Sequence, residues 1–200
     1  MESESRRPYR MGARAAAMEV TRTRVLEAAA ALLARHWYDE VTLQHIADEA
    51  GVSVQTIVNR FGGKDGVADA LADRVASQTA VARRAPTGDV AAIVAALFAD
   101  YEGHGDANVL WTAQIDRVPA IARAAAHARE QHRAWLEQVF ADRLPAPGPD
   151  REHALNLHYA ATDVYLWKLW RRDLGLSRED AERAMCDLLT SIDPRKRNHD

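Results

Sequence analysis

The chain has 200 residues, 48% of them hydrophobic and 28% charged, with only 10 Gly and 7 Pro, a composition that excludes fibres and disordered linkers and is long enough to bury a core. A single cysteine, Cys186, rules out an internal disulfide and a Cys-based metal site, and no apolar run approaches the ~20 residues of a membrane helix. The formal charge of -3 hides an asymmetry: between Ser5 and Arg24, Arg6, Arg7, Arg10, Arg14, Arg22 and Arg24 face one acid, Glu19, whereas Gly66 to Asp150 holds eight basic and eleven acidic residues. A basic beginning and a mildly acidic body suit a protein that meets a polyanion at one end. The arginines are followed by no apolar stretch of the secretory kind, so a reducing cytoplasm is the expected compartment.

Residues 1–20 mix Arg, Ser, Pro and Gly without an apolar period and read as a flexible arm, with order expected from about Thr21. Val25, Ala29, Leu32 and His36, flanked by Leu26 and Leu33, predict a first amphipathic helix. Thr42 caps a second helix with Leu43, Ile46, Ala47 and Ala50 on one side, and Gly51 ends it. Ser53 caps a third over Val54–Phe61 that buries Ile57 and Phe61. Val67, Leu71 and Val75 predict a fourth from about Lys64 to Arg83, and Pro86 and Gly88 mark a joint after it. The expected domains are therefore 21–66, a connecting helix over 67–86, and a larger helical domain over 87–195.

Within the larger domain, Val90 to Tyr101 predicts a helix broken at Gly103-His104-Gly105, followed by a short one over Ala107–Asp116. A long helix starts at Pro119 and ends at Pro145. Two last helices are expected, Asp150–Leu174 and Ser177–Ile192, parted at Gly175. No strand pattern is present, so the predicted class is all-α.

Helix, glycine turn and capped helix over residues 42–61 have the layout of a helix-turn-helix whose second helix enters the DNA major groove. If Ile57 and Phe61 face inward, Val54, Gln55, Val58 and Asn59 face the bases. Gln and Asn can each pair with an adenine edge, and a Val methyl can meet a thymine methyl. Thr42, His45, Thr56, Arg60 and Lys64 are placed for phosphates, with the free amides at the start of the fourth helix beside them.

Thr42-x3-Ile46-Ala47-x2-Ala50-Gly51-Val52-Ser53-x2-Thr56, then Phe61 and Lys64-Asp65, closely resembles the N-terminal domain of the TetR family of bacterial transcriptional repressors, over about residues 21–75. The resemblance implies a homodimer, an inverted-repeat operator in double-stranded DNA, and a C-terminal domain that binds a small molecule. The Trp167-Lys168-Leu169 to Leu176-Ser177 region is similar to the family's last helix pair. Val58 stands where the family usually has Tyr, Arg60 where it often has His or Tyr, and Gly66 where a larger apolar residue is usual, which leaves the operator sequence open.

Phe98, Tyr101, Trp111, Gln114, His132, Trp135, His158, Thr162 and Tyr165 combine large apolar surfaces with a few polar tips, as the lining of a small-molecule site does and as a helical core also does. Leu155, His158, Thr162, Tyr165 or Leu166, and Leu169, with Ala181, Met185, Leu188 and Ile192, form faces that would pair two copies in a four-helix bundle. No P-loop, Gly-x-Ser-x-Gly, Cys/His pair or dinucleotide fingerprint is present, and His127/His132 and His153/His158 are each five apart rather than four. The expected protein is a DNA-binding transcriptional regulator without catalytic residues, metal or cofactor, most simply a repressor released by an apolar or aromatic effector. The alternatives are a DNA-binding protein with no ligand and an activator of the same fold.

Overall fold

The computed structural model describes residues 6–192, with side chains from Ala16 onward. Residues 1–5 of the expected arm and 193–195 of the expected C-terminal domain lie outside the described residues, as do the side chains of Arg6, Arg7, Arg10 and Arg14. Among the described residues every regular element is helical. They run α1 (Arg6–Leu33), α2 (Leu43–Ala50), α3 (Val54–Phe61), α4 (Lys64–Ala82), α5 (Val90–Thr112), α6 (Pro119–Val139), α7 (Pro149–Thr162), α8 (Val164–Lys168) and α9 (Arg178–Ser191). A 3-10 turn occupies Tyr38–Glu40 and a π-helical turn Leu169–Asp173. The chain forms two compact units, 1–73 and 74–200, the boundary in the chain falling within α4.

In the first unit the buried apolar residues are Val25, Leu26, Ala29 and Leu33 of α1, Ile46, Ala47 and Ala50 of α2, Ile57 of α3 and Val67, Ala68 and Leu71 of α4, with α1 packed on α2 and α2 on α3. Ile46 and Ile57 are fully enclosed, each worth about 1.5 to 3 kcal/mol relative to an exposed position. The α2 and α3 boundaries coincide with those expected because both are set locally. Thr42 accepts the His45 amide at 3.1 Å, Ser53 accepts the Thr56 amide at 3.1 Å, and Gly51 and Gly62 take the left-handed conformation at φ 62° and 79°. Helix α1, however, begins at Arg6 rather than near Thr21, so ordered helix extends through most of the expected arm. Ala15, Ala16, Ala17 and Met18 are strong helix formers, Pro8 falls in the first turn where it is tolerated, and elongation of a formed helix is cooperative. Phe61, expected in the core, is only half-buried and lies under the Arg22 guanidinium at 5.6 Å.

Gly66 has a structural reason that its neighbours in sequence conceal. A Cβ there would stand 1.7 Å from the Phe61 carbonyl oxygen, a backbone atom that cannot swing aside. Gly66→Ala is therefore expected to destabilise the first unit by about 1 to 3 kcal/mol, the usual cost of overpacking, which urea unfolding would register. An unchanged midpoint would contradict the close approach.

The second unit packs α5, α6, α7, α8 and α9 around Phe98, Leu97, Leu136, Phe140, Leu155, Trp167, Met185 and Leu189. Three expectations change here. Helix α5 runs unbroken through Gly103 and Gly105. Gly105 is buried and admits the Trp167 ring: a Cβ would lie 2.4 Å from its Cζ3, so this glycine serves packing rather than termination. The expected Asp150–Leu174 helix is divided at Asp163, whose backbone is extended (ψ 147°) and whose carboxylate caps α8 by accepting the Tyr165 amide at 2.9 Å. Finally, Leu155, His158, Thr162, Ala181 and Met185, expected on a face joining two copies, are enclosed within this chain, because α7 packs between α6 and α9 and α9 covers the apolar side of α5. Leu188 and Ile192 pack partly against the same core, while Tyr165, Leu169 and Leu174 remain exposed.

Candidate functional site

Helix α3 presents one face and buries the other. Ile57 anchors it, whereas Gln55, Val58 and Asn59, related by three and four residues, share the exposed side. Val58 is 37% exposed, and Val54 lies partly exposed at the helix start. The Gln55 amide donates to Asn59 Oδ1 at 2.7 Å, so the two polar tips hold each other in register along the helix. Either can exchange that bond for the donor-acceptor edge of adenine.

The five residues expected on phosphates take different positions. Thr42 and His45 cap α2 reciprocally: Thr42 Oγ1 accepts from the His45 amide and the Thr42 amide donates to His45 Nδ1 at 3.4 Å. His45 also lines a hollow with Glu40, Asp48 and Glu49, an acidic surrounding unsuited to phosphate. Thr56 Oγ1 is bonded to Ser53 Oγ at 2.8 Å. Arg60 donates to the Met18 carbonyl on α1, using one of the five donors of a guanidinium. Lys64 is committed inside the domain. Its Nζ donates to the Tyr38 and Val41 carbonyls, both at 2.9 Å, and stands 4.1 Å from the centre of the Tyr38 ring. The Tyr38 hydroxyl in turn donates to Asp65. Lys64 thus ties the 3-10 turn before α2 to the start of α4, a role that required knowing where Tyr38 folds.

In the second unit, four of the nine residues expected around a small molecule meet in one cluster. The Tyr101 hydroxyl donates to the Thr162 carbonyl at 2.9 Å, His132 Nε2 is 2.9 Å from Thr162 Oγ1, and the Trp135 indole stacks on His132 with ring centres 5.4 Å apart. Burial raises the Tyr101 phenol above its ordinary value, so it stays neutral. The sequence reading missed the charged partners of this cluster, Arg83 and Asp100, whose side chains are only 9% and 5% exposed. Arg83 Nη2 and Nε lie 2.6 and 2.8 Å from Asp100 Oδ2, and Nη1 lies 2.9 Å from His132 Nδ1. Since a guanidinium only donates, His132 Nδ1 accepts and its Nε2 carries the proton given to Thr162. The other five separate. Phe98 and His158 belong to the core, the Gln114 amide donates to the Leu110 carbonyl, Trp111 is half-buried, and Tyr165 is 51% exposed with its hydroxyl 2.8 Å from Thr112 Oγ1.

Burial, and then the Arg83 charge, lower His132 from its ordinary 6.5 to about 3. The unfolded chain takes up a proton near pH 6.5 that the folded one refuses, so stability is complete above that pH and falls as the pH drops toward 3. The slope reaches about 1.4 kcal/mol per pH unit. Urea unfolding at pH 7 and pH 5 should therefore show a loss of about 2 kcal/mol from this group, and His132→Gln should remove that share; an equal loss in both proteins would contradict it.

Residues 25–71 match the family model of bacterial regulatory proteins, tetR family. The N-terminal helices are those of a tetR-family DNA-binding domain. The match covers the whole helix-turn-helix, from Val25 of α1 to Leu71 of α4. No curated protein matches the chain. Among solved structures, the fold of this chain is similar to that of Salmonella enterica GusR (21% identity, 86% of this chain and 95% of that one, TM-score 0.70). It is also similar to a tetR-family transcriptional regulator from Streptomyces coelicolor (18% identity, 87% and 80%, TM-score 0.68). The multidrug binding protein EbrR, complexed with imidazole, shares the fold as well (20% identity, 86% and 89%, TM-score 0.60). No helix among the described residues is long and apolar enough to cross a membrane.

Proposed function

We propose that this regulator is a cytoplasmic repressor that binds an inverted-repeat operator as a homodimer and is released by a small molecule held in its C-terminal unit. The observation that carries the DNA half is the exposed Gln55-Val58-Asn59 face of α3, set between two glycine turns and backed by Ile57. Val54, Gln55, Val58 and Asn59 select bases. The phosphate role narrows to the partly exposed Thr56 and Arg60 and the amides at the start of α4, with Thr42, His45 and Lys64 acting on the backbone that presents them. A dimer of such units reads half-sites about one helical turn, ~34 Å, apart.

The sensing half rests on the polar cluster of Tyr101, His132, Trp135 and Thr162, together with the fold shared with a multidrug binding protein. Helix α4 belongs to both units, so it is the covalent route by which occupancy of one changes the other. A coupling of about 1 to 3 kcal/mol would lower operator affinity roughly 5- to 150-fold.

Gln55→Ala or Asn59→Ala should weaken operator binding by about 1 to 3 kcal/mol and relax base choice, as a lost bidentate base contact does. Equal losses on operator and random duplex, measured by fluorescence anisotropy at fixed salt, would remove these residues from base reading.

A further inference from the structure

The Arg83 guanidinium occupies a complete cation box. Asp100 supplies the counter-charge, His132 Nδ1 a second acceptor, and the Tyr101 and Trp135 rings lie 4.9 and 5.6 Å from the guanidinium carbon. Carboxylate, neutral acceptor and aromatic faces are the elements that hold a planar organic cation out of water. The two charged partners are anchored unequally. Asp100 lies in the middle of α5 between core residues and its Oδ1 faces only the exposed His104, at 3.5 Å. Arg83 follows the end of α4 between exposed Ala82 and Arg84. Its backbone is fixed separately, by its amide to the Thr79 carbonyl and by the Trp135 indole donating to its own carbonyl, both at 2.9 Å. The Arg83 side chain can therefore swing to solvent while the backbone stays, whereas Asp100 cannot leave.

The geometry points to a binding site for an arylamidinium or arylguanidinium compound that displaces the Arg83 side chain from Asp100, so that Arg83 is a built-in competitor for the site. A cation conserves the charge of the box; an anion would meet Asp100, and a neutral molecule would leave Asp100 buried without a partner. Two N–H donors on one plane satisfy Asp100 and His132 together, which a quaternary ammonium cannot do. This assigns a ligand class to the cluster and rests on the reading of the C-terminal unit as the sensing half.

Benzamidine, benzamide and benzoate share one shape and differ in charge, so they test the site directly. Trp fluorescence titration and thermal melts would be run on the full chain, on Arg83→Ala, on Arg83→Gln in case the first folds poorly, and on each combined with Asp100→Asn. Benzamidine is expected to bind at least tenfold tighter than the other two, and at least tenfold tighter again once Arg83 is removed. It should also raise the melting temperature of the Arg83 variant more than that of the unmodified chain. Asp100→Asn should abolish both preferences. Equal binding of the three compounds, no gain on removing Arg83, or a preference that survives Asp100→Asn would overturn the assignment. Operator affinity is read separately: benzamidine bound with these preferences but without effect on DNA supports the box and counts against effector release.

Discussion

Trp167→Ala should lower the stability of the C-terminal unit by about 3 to 5 kcal/mol, the range for emptying a large aromatic site in a core. The indole is fully buried, packs on Gly105, lies 5.9 Å from the Tyr101 ring and donates to Glu102 at 3.1 Å. The Arg172 guanidinium covers its edge of the core at 4.5 Å. In thermal melts the change corresponds to a fall of roughly 10 to 20 °C for a unit of this size. A shift of two or three degrees would mean that the indole does not occupy the space Gly105 leaves.

Arg83→Ala is expected to cost a similar amount, about 3 to 5 kcal/mol, for an electrostatic reason rather than a packing one. It leaves Asp100 charged, enclosed and without the two guanidinium nitrogens on its Oδ2, and deprives His132 Nδ1 of its donor. Asp100→Ala should cost less, because the freed Arg83 can reach water from the end of α4. Chemical denaturation of the two variants side by side measures the difference. Equal costs would mean that Arg83 is held as firmly as Asp100.

The helix-turn-helix was legible in the sequence because it is governed by local chemistry. Thr42 and Ser53 cap, Gly51 and Gly62 turn left-handed, and Ile57 fixes which side of an eight-residue helix faces out, all within a few residues of each other. The same local rules failed where a distant residue intervened. Gly103 and Gly105 resemble a helix break until Trp167, more than sixty positions away, is seen to fill the gap. Asp163 is a good cap, but the long apolar period around it masks the break, and the Thr162 carbonyl that the break frees is satisfied from α5 by Tyr101. The last two helices look like a face for a second copy, yet most of that face is consumed in this chain's own core. The partners of Lys64 and Arg60 were hidden from the sequence for a related reason. A basic residue near a recognition helix reads as a phosphate contact, and only the fold reveals carbonyls of Tyr38, Val41 and Met18 at its tip.

Selection of binding sites from random duplex DNA tests the central claim most directly, provided the full chain, Gln55→Ala and Asn59→Ala are selected in parallel and the mass of each complex is measured. The account predicts an inverted repeat with half-site centres about one helical turn apart, bound by two copies of the chain, with base choice relaxed in each variant at the positions its residue reads. A set of selected sequences without dyad symmetry, or one that is identical for the variants and the unmodified protein, would contradict it.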